Sequence, residues 1–428
     1  MSCTFRTRWG APFLFALSTL VATSTTPAWA LSPADTQGAI GTRATLTATL
    51  PLTLQGAYHA AIALQPWTLA RADRDNEQRL RETLADSWLA DSPTLATSVK
   101  TGNRDGLREF EAEISTSIAT PSRRALQVAT AQSESAAYRA GTGLQSLKLA
   151  GEVRDAYWAV LLAQTEQALA EDELRRSEQL AIDTGRRAQA GDAARVDTLQ
   201  AQAVVQNARG TLLEVEQRLT VARQALRALI GEAALGALAD IAEVQASNRL
   251  TAVADHPALR ATWQAVQLAR ARLNEASGVV SATPTLSLTL TNERSNSSAT
   301  GTTARIGIAI PFGGAQRAAS RIALANAELT EAQANAQLLK RQIETEASSA
   351  QAAVLIAERR VHTLAERARL ANEVADLYVR AYRLGELDLP TRLRTESERT
   401  AANLAMNRAR IELKHAQSSA NQSLGLLP

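Results

Sequence analysis

Reading every seventh residue from Ile322 gives Ile322, Leu329, Ala336, Ile343, Ala350, Ala357, Leu364, Ala371 and Tyr378, with no polar interruption. An apolar position that recurs every seven residues is the signature of a supercoiled helical seam. The interval from Ile322 to Tyr378 would extend roughly 84 Å at about 1.5 Å per residue, so the pattern predicts a rod and not a compact core helix. Alanine fills many seam positions, which lets neighbouring helices approach closely. A counterpart is predicted in the first half from about Arg124 to Ala188, carrying Val153, Tyr157, Val160, Leu161, Leu169 and Leu180. There Gly141, Gly143 and Gly151 are expected to weaken the early part of the helix. Each rod ends at a glycine turn, Arg187 to Asp192 and Tyr382 to Glu386, where Gly191 and Gly385 suit the left-handed C-cap. Returning helices follow over about Arg195 to Leu229 and Thr391 to Ser423, antiparallel to the rods.

Elsewhere the period drops to two. Thr285 to Leu290 alternates strictly, as does Ile306 to Ile310, and the polar stretch Asn292 to Thr303 joins them as a hairpin loop. The first half repeats this more weakly, with runs at Thr94 to Lys100 and Phe110 to Ile118 and a turn over Asn103 to Gly106. In the second hairpin Leu286, Leu288, Leu290, Ile306, Ile308 and Ile310 share the aliphatic positions, and Ser, Thr or Gly fills most of the others. Two environments fit such a pattern: a solvated hairpin capping a soluble bundle, or transmembrane strands between lipid and an aqueous lumen. Run length favours the second, because about 9–11 residues carry a tilted strand across a bilayer. Four strands cannot close a barrel, and an open edge in lipid costs several kcal/mol per unpaired group. A spanning chain must therefore oligomerise; two copies give the minimum of about eight strands and three give twelve.

These elements are written twice. Pro66 and Pro257 stand 191 positions apart, as do Pro93-Thr94-Leu95 and Pro284-Thr285-Leu286, and Pro121 and Pro311 are 190 apart. Gly191 with Leu199 answers Gly385 with Leu393, and Ile230-Gly231 answers Leu424-Gly425 at an offset of 194. A period this long marks a duplicated half-protein. The units run from about 56 to 235 and from 256 to 428, each reading helix, strand, strand, very long helix, helix.

Composition narrows the function. Arg6, Arg8, the apolar stretch Ala11 to Val21 and Ala28-Trp29-Ala30 form an export signal over residues 1–30, leaving 31–428 as the mature chain. The single cysteine, Cys3, falls inside that leader, so no disulfide, thiolate metal site or cysteine nucleophile is expected beyond it. Formal charge is only +3, and basic and acidic residues alternate along helices without a basic patch interleaved with aromatics, so nucleic acid is not an expected partner. Aromatics are 4% of the chain, too few for a large globular core but natural in an alanine-rich coiled coil. His59, His256, His362 and His415 are scattered without metal-ligand spacing. His256-Pro257 reads as a helix start, and Phe312-Gly313-Gly314 as a strand-to-helix hinge, since no Lys-Ser or Lys-Thr follows to make a phosphate loop. No cofactor and no enzymatic activity are expected.

Four carboxylates, Asp192, Asp197, Glu386 and Asp388, lie in or beside the glycine turns. Repeated around an oligomer, inward-facing copies would form a negative ring that favours cations. Alternatively they cap the returning helices, whose positive ends prefer carboxylates.

The order of elements, Leu52-Thr53-Leu54 before the first helix, the prolines bounding the strands and the glycine followed eight later by leucine resemble the TolC-like outer membrane efflux protein family. The likeness covers roughly residues 50–428, and the second half is most similar to the branch associated with cation and small-toxin efflux. The resemblance implies a mostly helical chain with a small β part that closes as a homotrimer, twelve strands forming one barrel in outer-membrane lipid and the helices a periplasmic tunnel. It further implies a passive exit duct of a tripartite efflux or secretion system, served by a periplasmic adaptor and an inner-membrane transporter. Arg187, Gly191, Gly385 and Leu393 then fall at the periplasmic tip where an adaptor docks, as do Asp197 and Leu199; Thr391 replaces the Asp usual at its position. A soluble periplasmic coiled-coil adaptor or scaffold is the competing reading. It fits less well, because such a protein has one helical hairpin flanked by compact β domains.

Overall fold

The computed structural model describes residues 51–102, 106–232, 237–244, 255–278, 283–296, 300–312 and 315–428. The expected leader and the Gly313-Gly314 hinge lie outside the described residues. Three short helices, α1 (Leu54–Ala63), α2 (Pro66–Leu69) and α3 (Arg71–Ala85), lead into strands β1 (Thr94–Thr101) and β2 (Arg108–Ser117). Helices α4 (Pro121–Gln189) and α5 (Arg195–Ile230) complete the first half. In the second, α6 (Pro257–Gly278) precedes β3 (Thr285–Arg294), β4 (Gly301–Ala309), α7 (Ala315–Arg383) and α8 (Leu389–Ser423).

The rods are longer than the sequence pattern predicts, each of 69 residues or about 100 Å. α4 starts after three residues beyond the strand hairpin because Thr120 accepts a hydrogen bond from the Arg123 N–H (3.4 Å) and Pro121 occupies the first turn, where its missing N–H costs nothing. The expected weakening at Gly141 and Gly143 does not occur: α4 runs through both without a break. Packing overrides propensity there, since α6 lies alongside and ties in through Thr130 to Glu275 (2.8 Å) and Arg272 to Glu134 (3.0 Å). At Gly151 the lack of a side chain admits Gln422 of α8, whose Nε2 would stand 3.0 Å from any Cβ placed there. In α7 the row from Ile322 is buried or partly buried throughout. A companion row goes deeper over the distal half, with Ala347, Val354, Ala368, Ala375 and Tyr382 all buried. Contact with both α6 and α8 makes a broader buried face than one heptad line marks.

The four strands form one antiparallel sheet in the order β1-β2-β3-β4. Both hairpins extend further than predicted, to Thr101 and Arg108 in the first and to Arg294 and Gly301 in the second. The β2–β3 pairing joins the two halves. Directly paired residues share a face of the sheet. One set of rows reads Leu95–Ile114–Leu288–Ile306, Thr97–Ala112–Leu290–Ala304 and Val99–Phe110–Asn292–Thr302 across the strands. The opposite face carries Ser98–Glu111–Thr291–Thr303 and Ala96–Glu113–Thr289–Arg305, with Lys100 bonded to Glu109 (3.2 Å). The polar face is partly covered, with Thr289 buried, while Leu95, Val99, Ile306 and Ile308 stand two-thirds or more exposed.

Midway along the rods a belt of packing binds the chain into one unit. Leu54 and Tyr58 of α1, Val153, Tyr157 and Trp158 of α4, Leu226 and Ile230 of α5 and Ile411 of α8 share one apolar cluster. At its edge lies Arg154, 1% exposed. Its guanidinium donates twice to Glu243 (3.0 and 2.9 Å), to the Leu426 carbonyl (3.0 Å) and to Gln422 Oε1. One turn on, the Tyr157 hydroxyl reaches the carbonyls of Leu52 (2.9 Å) and Ala239 (2.6 Å), two segments that pair as a short parallel bridge. Burial pushes that hydroxyl's pKa up to about 12, so it remains protonated.

Arg154→Ala leaves Glu243 largely buried without its cation, and removing one partner of a buried pair costs about 3–5 kcal/mol. Thermal unfolding should show that loss, and the paired change Arg154→Met with Glu243→Leu should recover most of it. Equal destabilisation by the single and paired changes would show that packing, not the charge pair, matters here.

Candidate functional site

The end of the rods opposite the sheet is built from the two glycine turns. At the first, Gly191 takes φ 86°, its N–H meets the Ala188 carbonyl (3.2 Å) and the Asp192 N–H reaches back to Arg187 (2.8 Å). At the second, Gly385 takes φ 81°, with Gly385 bonded to Tyr382 (3.1 Å) and Glu386 to Ala381 (3.0 Å). Both are Schellman closures, which need a left-handed residue and so favour glycine. The two turns therefore match in backbone as their sequences suggest.

Their caps differ. Asp197, three residues into α5, turns its carboxylate back to the Ala194 N–H (3.2 Å). In α8 the equivalent place is Thr391, and the carboxylate has moved to the other end of the same box: Asp388 accepts from the Thr391 N–H (3.2 Å). The hydroxyl of Thr391, with that backbone bond, holds the Asp388 carboxyl below the usual carboxylate range. Thr391 in place of Asp thus leaves the helix start satisfied from the reciprocal side. Asp197 and Asp388 serve as caps, whereas the Asp192 and Glu386 side chains are exposed and make no bond among the described residues. The matched leucines also part company: Leu393 packs with Leu180, Ala201, Tyr382 and Leu389, and Leu199 is 57% exposed.

Tyr382 is the residue that the sequence pattern undervalued. It is 6% exposed, with the guanidinium groups of Arg187 and Arg392 over its ring at 4.9 and 4.7 Å. Arg187 also donates to the Tyr382 carbonyl (3.3 Å), so α4 is tied to α7 at their shared end. Each cation over an aromatic face contributes about 0.5–2 kcal/mol, the more so when desolvated. Arg392 is such a case, for burial lowers its pKa. The visible signal was Tyr382 three residues before Gly385 with Arg187 at the matching turn; nothing in spacing alone pairs them.

Behind this junction a cleft of about 660 Å³ lies between the two helical hairpins, lined among others by Glu173, Arg176, Asp183, Asp376, Arg392 and Glu396. Part of its charge is paired, Arg176 reaching Glu173 (3.1 Å). Thr400 donates to Glu173 (2.6 Å), and Arg399 reaches Glu396 (2.7 Å) and Asp376 (3.5 Å). Burial raises the Glu396 carboxyl.

Two of the histidines take structural places: His256 Nδ1 accepts from the Ala258 N–H (3.1 Å) at the start of α6, and His415 pairs with Asp155 (2.9 Å). Burial lowers the His256 pKa. Among the described residues no group of three His, Cys, Asp or Glu is placed to hold a metal ion, and no helix is long and apolar enough to cross a membrane.

A thin amphipathic sheet is thus continued by two very long helical hairpins. Residues 89–232 match the outer membrane efflux protein family. Among solved structures, the chain is similar to CusC, described for its folding and transmembrane channel formation, at 17% identity and TM-score 0.73, covering 88% of this chain and 93% of that one. It is likewise similar to the outer membrane protein VceC of Vibrio cholerae, at 16% identity, TM-score 0.71 and coverage of 87% and 96%. The open state of the Neisseria gonorrhoeae MtrE outer membrane channel aligns at 15% identity, TM-score 0.69 and coverage of 87% and 89%. The sequence has no significant match among curated proteins. The chain carries the fold of the TolC-like outer membrane efflux proteins, and over residues 89–232 their sequence pattern as well.

If the Asp388 carboxylate holds the start of α8, its contribution is present above the ordinary value of 3.8 and is lost as pH falls through the depressed folded-state value. The melting difference between wild type and Asp388→Ala should therefore be full at neutral pH and close under acid. A difference that persists at low pH would show that the cap does not depend on ionisation.

Proposed function

We propose that the protein is a passive outer-membrane exit duct of a tripartite efflux or secretion system. One observation carries this reading. The four-stranded sheet is apolar on one face and polar on the other, has two open edges, and continues into helices about 100 Å long. In lipid, β1 and β4 need partners for their outer backbone groups. Three copies place β1 of each beside β4 of the next and close twelve strands, with Glu111, Glu113, Thr291 and Arg305 facing the water-filled interior. Exposed apolar residues on α5 (Leu213, Val221) and α7 (Leu338, Leu355, Leu370) supply faces for the neighbouring copies of the helical wall.

In this arrangement the hairpin loops face the exterior and the glycine turns face the periplasm. The turns at Arg187–Gly191 and Gly385–Leu393, with the exposed Leu199, suit a periplasmic adaptor, through which an inner-membrane transporter delivers substrate. Arg187 and Arg392 around Tyr382 hold the resting tip together, and Asp192 and Glu386, free of capping bonds, are the carboxylates available to a cation-attracting ring.

Light scattering corrected for bound detergent should give three copies of the chain. A monomer with intact strand content, or recovery in the soluble periplasmic fraction without detergent, would overturn the reading.

The membrane assignment is tested face by face. Leu288→Arg or Ile308→Arg should cost roughly 2–4 kcal/mol near the bilayer midplane. Ser287→Arg, on the opposite face beside Gly307, should cost little. Equal tolerance would place the sheet outside lipid.

In planar bilayers, Asp192→Ala with Glu386→Ala should lower cation preference, read as a shift of reversal potential in a salt gradient. An unchanged potential would remove these carboxylates from the conducting path.

A further inference from the structure

We infer that the exterior rim of the sheet binds the phosphate groups of an outer-leaflet lipid through Arg108 and Arg294. The inference rests on the membrane reading above, because only that reading puts these residues at a lipid surface. The two arginines are direct cross-strand partners on β2 and β3, one row beyond Phe110 and Asn292. Cβ atoms of such partners stand about 4.5–5.5 Å apart, and like charges placed so are unfavourable in isolation.

Among the described residues the usual remedy, a nearby carboxylate on the same face, is absent. Both side chains are exposed, and among the described residues neither forms an ion pair. The carboxylates closest in sequence, Glu109 and Glu293, pair with each other in the ladder on the opposite face, where Lys100 answers Glu109. Strict alternation across the sheet therefore gives the interior face its acids and leaves two guanidinium groups on the apolar face without a carboxylate among the described residues. Five rows along that face, from Ile308 to Thr302 in β4 and outward to the arginines, the apolar band gives way to Asn292 bonded to Thr302 (2.9 Å) and then to this pair. That is the height of a headgroup. A phosphate accepts bidentate bonds from guanidinium, and one dianionic group between the two chains would remove their repulsion. Basic clusters at this depth recognise anionic headgroups generally. A closed trimer would carry three such sites.

The test uses purified trimer in detergent, titrated with lipid A and with its dephosphorylated form, with bound lipid counted by native mass spectrometry. Wild type should retain lipid A and bind the dephosphorylated form about tenfold to a hundredfold more weakly, the loss expected for one or two charge-assisted hydrogen bonds. Arg108→Gln with Arg294→Gln should lose lipid A to the same extent while keeping trimer mass and single-channel conductance; Arg305→Gln, on the interior face, should bind like wild type. Excess inorganic phosphate should not displace the lipid, since the acyl chains add burial that a free anion lacks. Equal binding of the two lipid forms by wild type, undiminished binding by the double variant, or displacement by inorganic phosphate would each overturn the inference. Normal bilayer insertion in those cases would leave the duct reading standing, whereas failure of wild type to insert would overturn both.

Discussion

Backbone hydrogen bonding at the edges of one thin sheet governs the architecture. Within the chain, β2 and β3 are paired on both sides, and β1 and β4 on one side only. In water those outer N–H and C=O groups would be solvated; in hydrocarbon each would cost several kcal/mol. An apolar face two-thirds or more exposed at Leu95, Val99, Ile306 and Ile308 accompanies those open edges. The helices inherit this. α4 and α7 begin within a few residues of strands β2 and β4, so the spacing of those strands sets the spacing of the rods where they begin.

A wall made of thin rods has little depth in which to bury apolar surface, and the chain concentrates specificity in polar contacts at intervals. Arg154 joins α4 to the segment after α5 and to the end of α8. Glu166, nearly buried on α4, is held by Arg218 of α5 (3.0 Å) and Arg408 of α8 (2.6 Å). These pairs fix register along helices whose alanine seams would otherwise slide with little cost, the use for which buried polar groups are best attested.

At the tip the two halves diverge though their backbones agree. Both turns close by the same hydrogen bonds around a left-handed glycine, but the capping carboxylate lies inside α5 in one and ahead of α8 in the other. Tyr382 occurs in the second half's turn alone and takes one arginine from each half, Arg187 and Arg392, so the junction between hairpins is asymmetric.

The periodicities in the sequence determined the elements: a seven-residue repeat specifies a long helix wherever it falls, alternation specifies a strand, and glycine at Gly191 and Gly385 specifies where each rod must stop. The alternation in Leu286, Leu288, Leu290, Ile306 and Ile308 was legible because side chains of a strand change face at every residue, whatever it pairs with. Tertiary structure decided what no local pattern encodes. The passage of α4 through Gly141 and Gly143 depends on α6 packed beside it, and the deeper row of α7 depends on having helices on two sides. The union of Tyr382 with Arg187 and Arg392, and of Arg108 with Arg294, joins positions far apart in the chain. Propensity and period act over a few residues, whereas those contacts exist only once the ladder register and the helix hairpins have brought distant segments together.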